Sequence, residues 1–257
     1  MAIAPNSALG RLLHRRSLAR WQRAAARAEG AELRQLSAEA QMAQQLLRPL
    51  QELDLVARTR LARPRAGSAV FPRPAGTDWS HRPKPWRVRL PEKGAAPVQN
   101  KTRLSDELRV FHDCPLAQIA LRQSRNTRDV DLAPFGLSLD VLGFQGSYLS
   151  LVIEVPPAAC DGLRRRHLIR LACVIERERH SPIQARLNIR HGPNTEQLLL
   201  PLPDDGPEIM VEFDLAYSQL NEKRAEAMWI DLLIGDPALN RILIRDLTLS
   251  RYPRAEI

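Results

Sequence analysis

Cysteine is scarce: Cys114, Cys160 and Cys173 are the only ones in 257 residues, and no two form a CxxC pair. An odd, unpaired set argues against a disulfide framework and points to buried, reduced thiols. Aromatic residues make up only 5% of the chain, few for a surface that would grip sugars with several exposed rings. No run of about 18 apolar residues occurs, which excludes a membrane-spanning helix. No apolar h-region followed by a small-residue cleavage site opens the chain, so no secretory signal is read and a cytoplasmic location is expected. The Arg-rich, acid-poor opening has the composition of an organellar transit peptide, a reading that requires a eukaryotic source.

Catalytic and cofactor motifs are missing too. None of the 12 glycines builds GxGxxG or GxxxxGK[ST], so no phosphate-cradling loop is expected. The six histidines (His14, His81, His112, His167, His180, His191) show neither HxH nor HExxH spacing, so no metal site is expected. Ser147 and Ser218 lack the GxSxG elbow, and Cys114 beside His112 is a lone near-neighbour pair. Together these absences predict no cofactor and no metal.

What is present is a gradient of charge. The formal net charge of +9 is carried by the front of the chain. Residues 1–62 hold ten Arg against five acids, residues 63–100 eight Lys/Arg against two, and residues 101–257 twenty against twenty-two. An anionic partner would therefore meet the first hundred residues.

The chain divides accordingly into a basic helical arm (1–62), a Pro-rich linker (63–100) and a β domain (101–257). Ser7 is placed to cap a helix over Leu9–Ala28, with Leu9, Leu12, Leu13, Leu18 and Trp21 on one broad side and Gly30 as its stop. Arg11, Arg15, Arg16, Arg20, Arg23 and Arg27 supply the rest of its surface. They form either a solvated face or a contact for lipid or nucleic-acid phosphates. A second helix is expected over Ala31–Leu61, with a short heptad seam through Leu33, Leu36, Ala40, Ala43, Leu47 and Leu50. Pro49 should kink or end it, giving a helical hairpin or bent helix. The linker carries seven prolines (Pro64, Pro72, Pro74, Pro83, Pro85, Pro91, Pro97) and little periodicity. Phe71, Trp79 and Trp86 among its basic residues would either stack bases or pin the linker to a folded domain.

From Thr102 on, apolar residues recur with a period of two. Leu149, Leu151, Ile153 and Val155 alternate with polar neighbours, as do Ala185, Leu187 and Ile189, and Ile209, Val211, Phe213 and Leu215. Ten strands are predicted: Leu108–His112, Leu116–Leu121, Phe135–Leu142, Tyr148–Val155, His167–Ile175, Ile183–His191, Gln197–Leu202, Glu208–Leu215, Trp229–Ile234 and Arg241–Leu249. In the last of these Ile242 and Ile244 fall on one parity and Leu247 and Leu249 on the other, which a bulge at Arg245–Asp246 reconciles. Leu220–Ala227 reads as a helical turn. The expected fold is mainly β, an antiparallel, jelly-roll-like sandwich behind an N-terminal α-helical hairpin.

Phe144-Gln-Gly-Ser147 leading into the Tyr148 strand, and the closing Asn240-Arg-Ile-Leu-Ile-Arg-Asp-Leu-Thr-Leu249, resemble galactose-binding-type jelly rolls among carbohydrate-binding modules. His191-Gly-Pro-Asn-Thr-Glu196, Phe213-Asp-Leu-Ala-Tyr217, Leu220-Asn-Glu-Lys-Arg224 and Arg251 through Glu256 resemble an uncharacterised bacterial family of unknown function. The first resemblance implies a sugar-binding sandwich; the second implies no activity. Glu212-Phe-Asp214 resembles the start of the E-x-D-x-x-E strand of laminarinase-type glycosidases, but Tyr217 stands where the second catalytic carboxylate belongs.

The residues that remain describe a binding surface. Arg186, Asn188 and Arg190 share the polar face of one strand and run into His191, Asn194 and Glu196, while Trp229 and Asp231 would add a stacking platform and an acceptor. A ligand-free alternative pairs Arg186 and Arg190 with Glu212 and Asp214. The expected function is a non-catalytic binding protein for a polar ligand, a glycan or a protein, with the basic arm as an anchor. Two alternatives stand beside it: a nucleic-acid or anionic-membrane accessory protein acting through residues 9–87, and a polysaccharide hydrolase using Glu212 and Asp214.

Overall fold

The computed structural model describes residues 8–61 and 71–254. The expected cap Ser7, the linker's Pro64 and the terminal Glu256 lie outside the described residues. The chain forms two compact units that part after Val56, a few residues short of the expected arm boundary.

The first unit holds α1 (Ala8–Arg27) and all but the last turn of α2 (Leu33–Leu61), joined by a 3₁₀ turn at Ala28–Gly30. They lie antiparallel, as two contacts along their length require: Arg27 with Glu39 at 3.9 Å and Arg20 with the Met42 sulfur at 3.9 Å. The helix α2 does not end at Pro49 but continues through it to Leu61, at the cost of one backbone hydrogen bond. Leu12, Leu13, Leu18, Leu46, Leu47 and Leu50 are exposed along the hairpin.

The second unit is a sandwich of two antiparallel sheets. Its strands are β1 (Trp79–His81), β2 (Gly94–Ala95), β3 (Thr102–Ser105), β4 (Leu108–His112), β5 (Gln118–Arg125) and β6 (Phe135–Gly143). They continue with β7 (Leu149–Glu154), β8 (His167–Arg177), β9 (Ile183–His191), β10 (Asn194–Pro201), β11 (Glu208–Asp214), β12 (Ala225–Ile234) and β13 (Asn240–Pro253). One sheet of seven strands runs β11-β8-β13-β6-β5-β2, with β1 added on β13; the other, of six, runs β10-β9-β12-β7-β4-β3. Both inner faces follow from parity. Leu137, Leu139, Ile169, Leu171 and Leu249 from the first sheet meet Leu151, Ile153, Leu187, Ile230 and Leu232 from the second, all at most 1% exposed. The register of β13 against β8 shifts between Ile244 and Asp246. That bulge carries Ile242, Ile244, Leu247 and Leu249 into one core. The turn expected within Leu220–Ala227 is a 3₁₀ turn at Glu222–Arg224.

The described part of the Pro-rich stretch is no tether. Trp79 pairs with Arg251 and His81 with Leu249, so β1 extends the larger sheet. A short helix α3 (Lys84–Arg87) then drops Trp86 into the core at 0% exposure, where its indole N–H donates to the Ile244 carbonyl at 2.9 Å. The Gln123 amide donates to the Pro85 and Val88 carbonyls at 2.6 and 2.8 Å and accepts the Leu90 N–H. Isolated large side chains and one buried amide fix this segment, with none of the periodicity of a regular strand.

Glu107 fastens the same segment. Its carboxylate lies 3.3 Å from His81 Nε2 and accepts the Lys84 backbone N–H. Burial alone would raise its pKa, but the His81 and Lys84 hydrogen bonds outweigh it and hold the group below 4.5. A depressed folded pKa contributes stability that is full above the unfolded value and is lost as pH falls through the folded one. Glu107→Gln is therefore expected to lower the melting temperature at pH 7. The difference from wild type should shrink as the pH is taken below 4.5, and thermal melts across that range measure it.

Candidate ligand-binding face

The outward side chains of the six-stranded sheet fall into rows set by register. Trp229 of β12 stands between Asn188 of β9 and Glu154 of β7, with Gln197 of β10 beyond Asn188. In the next row Asp231 stands between Arg186 and Val152, followed by Arg109 of β4. Then come Leu233, flanked by Gln184 and Ser150, and Phe111 next to Ser150. Alternate residues of these strands are core, so period two alone puts these on the outside.

Polar side chains on an outer face are usually wet, yet Asn188, Asp231 and Ser150 are only 1%, 3% and 4% exposed. A hydrogen-bonded chain holds the first two. Arg186 donates twice to Asp231 Oδ2, at 2.8 and 2.6 Å, and Asn188 donates to the same oxygen at 3.1 Å. Gln197 donates to Asn188 Oδ1 at 3.0 Å. Ser150 Oγ and Arg109 Nε are buried with no hydrogen-bond partner among the described residues. An unmade hydrogen bond of this kind costs about 1–3 kcal/mol. The charges cancel in pairs: Arg186 with Asp231 at 2.6 Å, Arg109 with Glu154 at 3.2 Å and Arg190 with Glu226 at 3.4 Å.

Arg186, Asn188, Trp229 and Asp231 thus come together as the sequence pattern implies, with Arg190 at the margin beside Ala227. His191, Asn194 and Glu196 do not join them, because they have the parity of core residues. His191 is buried and its Nδ1 accepts the Asn221 N–H at 3.4 Å, while Glu196 accepts the Gln219 N–H at 3.1 Å. Asn194 sits exposed where β10 begins, paired with His191. Gln197, Ser150, Glu154 and Arg109 complete the face without being singled out by the sequence pattern. Their outward parity is readable in the sequence, but the adjacency of β7 to β12 is not.

The ion pairs of Arg186 and Arg190 with Glu212 and Asp214 are not formed, since those acids lie on β11 in the other sheet. Glu212 takes two Arg170 hydrogen bonds, at 2.9 and 2.7 Å, and the Tyr252 hydroxyl. Burial would raise its pKa, but Tyr252 and Arg170 hold it below the ordinary value, the wrong direction for a general acid. Asp214 accepts the Ala216 N–H at 2.9 Å and pairs with Arg254 at 3.2 Å. Both carboxylates are engaged by neighbouring donors. Cys114, Cys160 and Cys173 are free and buried, and burial raises the Cys160 and Cys173 thiols to about 11 and about 12. Among the described residues no three His, Cys, Asp or Glu side chains are grouped to hold a metal ion, and no helix is long and apolar enough to cross a membrane.

On α1, Arg20 lies over the Trp21 ring at 5.6 Å, Arg23 donates to the Ala19 carbonyl at 3.1 Å, and Arg27 pairs with Glu39 at 3.9 Å. Arg11, Arg15 and Arg16 are exposed.

Solved structures similar to the chain include the family 11 carbohydrate-binding module from Clostridium thermocellum bound to a mixed-linked tetrasaccharide. It is 12% identical with a TM-score of 0.40, over 64% of this chain and 97% of that one. A putative sugar binding protein from Bacteroides thetaiotaomicron is 14% identical with a TM-score of 0.38, over 61% and 95%. The xylan-binding domain CBM22-1 from Paenibacillus barcinonensis is 8% identical with a TM-score of 0.36, over 72% and 100%. Likeness this distant carries no argument about ligands. No curated protein matches the chain. The model of one family, described as a family of unknown function (DUF6478), matches residues 1–257, and the chain belongs to that family.

Proposed function

We propose that this chain is a non-catalytic binding protein whose six-stranded sheet takes a neutral, hydroxyl-rich ligand, a glycan, on its outer face. The observation that carries the reading is a set of outward polar side chains, one from each of three successive rows, that are nevertheless buried: Asn188, Asp231 and Ser150, at 1%, 3% and 4% exposure, with Trp229 in the first row. The geometry of Asn188 and Asp231 is set by one hydrogen-bonded chain before any ligand arrives, which lowers the ordering cost of binding. Trp229 supplies an apolar plate with one polar edge. Because the guanidiniums of Arg186, Arg109 and Arg190 each have their own carboxylate, a neutral ligand fits the charge balance around Trp229 better than an anion.

The test is a glycan array on the full-length chain, followed by calorimetric titration of the strongest binder. Trp229→Ala is expected to weaken binding at least tenfold, about 1.4 kcal/mol, with an unchanged far-UV circular dichroism spectrum. A silent array, or an affinity indifferent to Trp229→Ala, overturns the reading.

The arm supports a second role, an anchor on an anionic surface. Arg11, Arg15, Arg16, Arg20, Arg23 and Arg27 crowd a helix of 20 residues that has no acid, beside exposed Leu12, Leu13 and Leu18. Lipid would take both the charge and the apolar side chains. The chain is expected to sediment with phosphatidylglycerol vesicles and not with phosphatidylcholine vesicles. Changing Arg15, Arg16 and Arg23 together to Glu should abolish this, and raised salt should weaken it. Retention on oligonucleotides without vesicle binding would replace lipid by nucleic acid.

A further inference from the structure

The seven-stranded sheet carries a cavity of its own, about 380 Å³, on its outer face. Its floor is a row in register across three strands, Met210, Ala172 and Thr248, where two of the three side chains are small. Glu208, Val174 and Asp246 form the adjoining row. Phe71 and Pro72, ahead of β1, wall one side, and the loop between β5 and β6 contributes Val130 and Leu132. Val130 and Leu132 are 76% and 37% exposed, an apolar rim, and Met210 of the floor is 51% exposed. The volume lies within the range of small-molecule sites, and so does the mixture of apolar walls with a few placed polar groups.

Charge accounting selects the ligand. Three arginines line the cavity, and each is neutralised by acids. Arg128 donates to Asp131 at 3.0 and 2.8 Å, and Arg245 donates to Glu176 at 2.7 Å. Arg170 is held by Glu212 at 2.7 Å. The Asp246 carboxylate takes both of its short contacts, 2.8 and 2.7 Å, from Arg82, which is 2% exposed. Glu208 is the one charged lining residue with no ion-pair partner among the described residues. An anion would have to displace a carboxylate from a guanidinium, and an uncharged apolar ligand would desolvate Glu208 without compensation.

We propose that this cavity binds a small organic amine with an apolar body. The ammonium sits against Glu208 and the body lies over Met210, Val130 and Leu132. The Thr248 hydroxyl makes a long contact of 3.4 Å to the Ala172 carbonyl, which it can exchange for a polar group on the ligand. The site is on the sheet opposite the proposed glycan face and stands independently of it.

Calorimetric titration of the full-length chain with hexylamine, hexanoate and hexanol, which share one body and differ in head charge, tests the proposal. Hexylamine is expected to bind at least tenfold more tightly than the other two. Glu208→Gln, at an exposed position, should weaken hexylamine about tenfold and erase that preference. Val130→Gln, also exposed, should weaken all three alike by thinning the wall. No heat with hexylamine at millimolar concentration, equal or tighter binding of hexanoate, or an unchanged affinity in Glu208→Gln overturns it.

Discussion

Trp86→Ala is expected to lower the unfolding free energy by about 3–5 kcal/mol, the range for removing a buried aromatic side chain from a packed core. Trp86 is 0% exposed and belongs to the main hydrophobic cluster. Its indole also donates to the Ile244 carbonyl, at the start of the bulge that re-phases β13. The substitution therefore opens a cavity and unpairs a carbonyl at the irregular point of the longest strand. Trp86→Phe separates the two contributions, since it keeps most of the volume and loses only the N–H, and should cost less than half as much. Urea unfolding of both variants measures the difference. If Trp86→Ala lost under 1 kcal/mol, residues 71–100 would be the loose linker that their proline content suggests.

How much was legible follows from what each residue depends on. Strands with a clean period of two, such as Ile183–His191 and Leu108–His112, stand in the structure with the bounds read from the sequence. The bulge between Ile244 and Asp246 was legible because a strand whose apolar parity switches midway needs one extra residue to keep both halves in a single core. Strands of two to four residues, β1, β2 and β3, carry too little pattern to be seen. Trp79 and Trp86 hinted that their segment was anchored, but not that it supplied a strand. The proposed face was half legible. That Arg186, Asn188, Trp229 and Asp231 point outward is a local fact. That Asp231 and not Glu212 neutralises Arg186 depends on the order in which the strands join the sheets. After β10 the chain crosses to the seven-stranded sheet for β11 and returns for β12, so the nearer acids in sequence are the remoter ones in space. The amine cavity was not legible at all, because its wall, floor and rim come from residues 71 to 248.

Asp246→Ala is expected to destabilise the chain by about 3–5 kcal/mol, because it takes the facing carboxylate from a buried guanidinium. The Arg82 and Asp246 side chains are 1% and 12% exposed, and both carboxylate oxygens are engaged by Arg82. These residues are separated by 164 positions, so the pair ties the stretch after β1 to the middle of β13. Removing the charge on one side leaves the other unable to regain water without tearing that stretch away. Removing both is a different matter. Arg82→Met with Asp246→Leu replaces two desolvated ions by apolar groups, and exchanges of that kind are often neutral or stabilising. The double variant should therefore recover most of what Asp246→Ala loses, which denaturant titration of the single and double variants reads directly. Two outcomes argue against this account. A single variant within about 0.5 kcal/mol of wild type would mean that the pair is hydrated as an ordinary surface bridge is. A double variant as weak as the single one would mean that the hydrogen-bond geometry, and not the buried charge, holds β1 on β13.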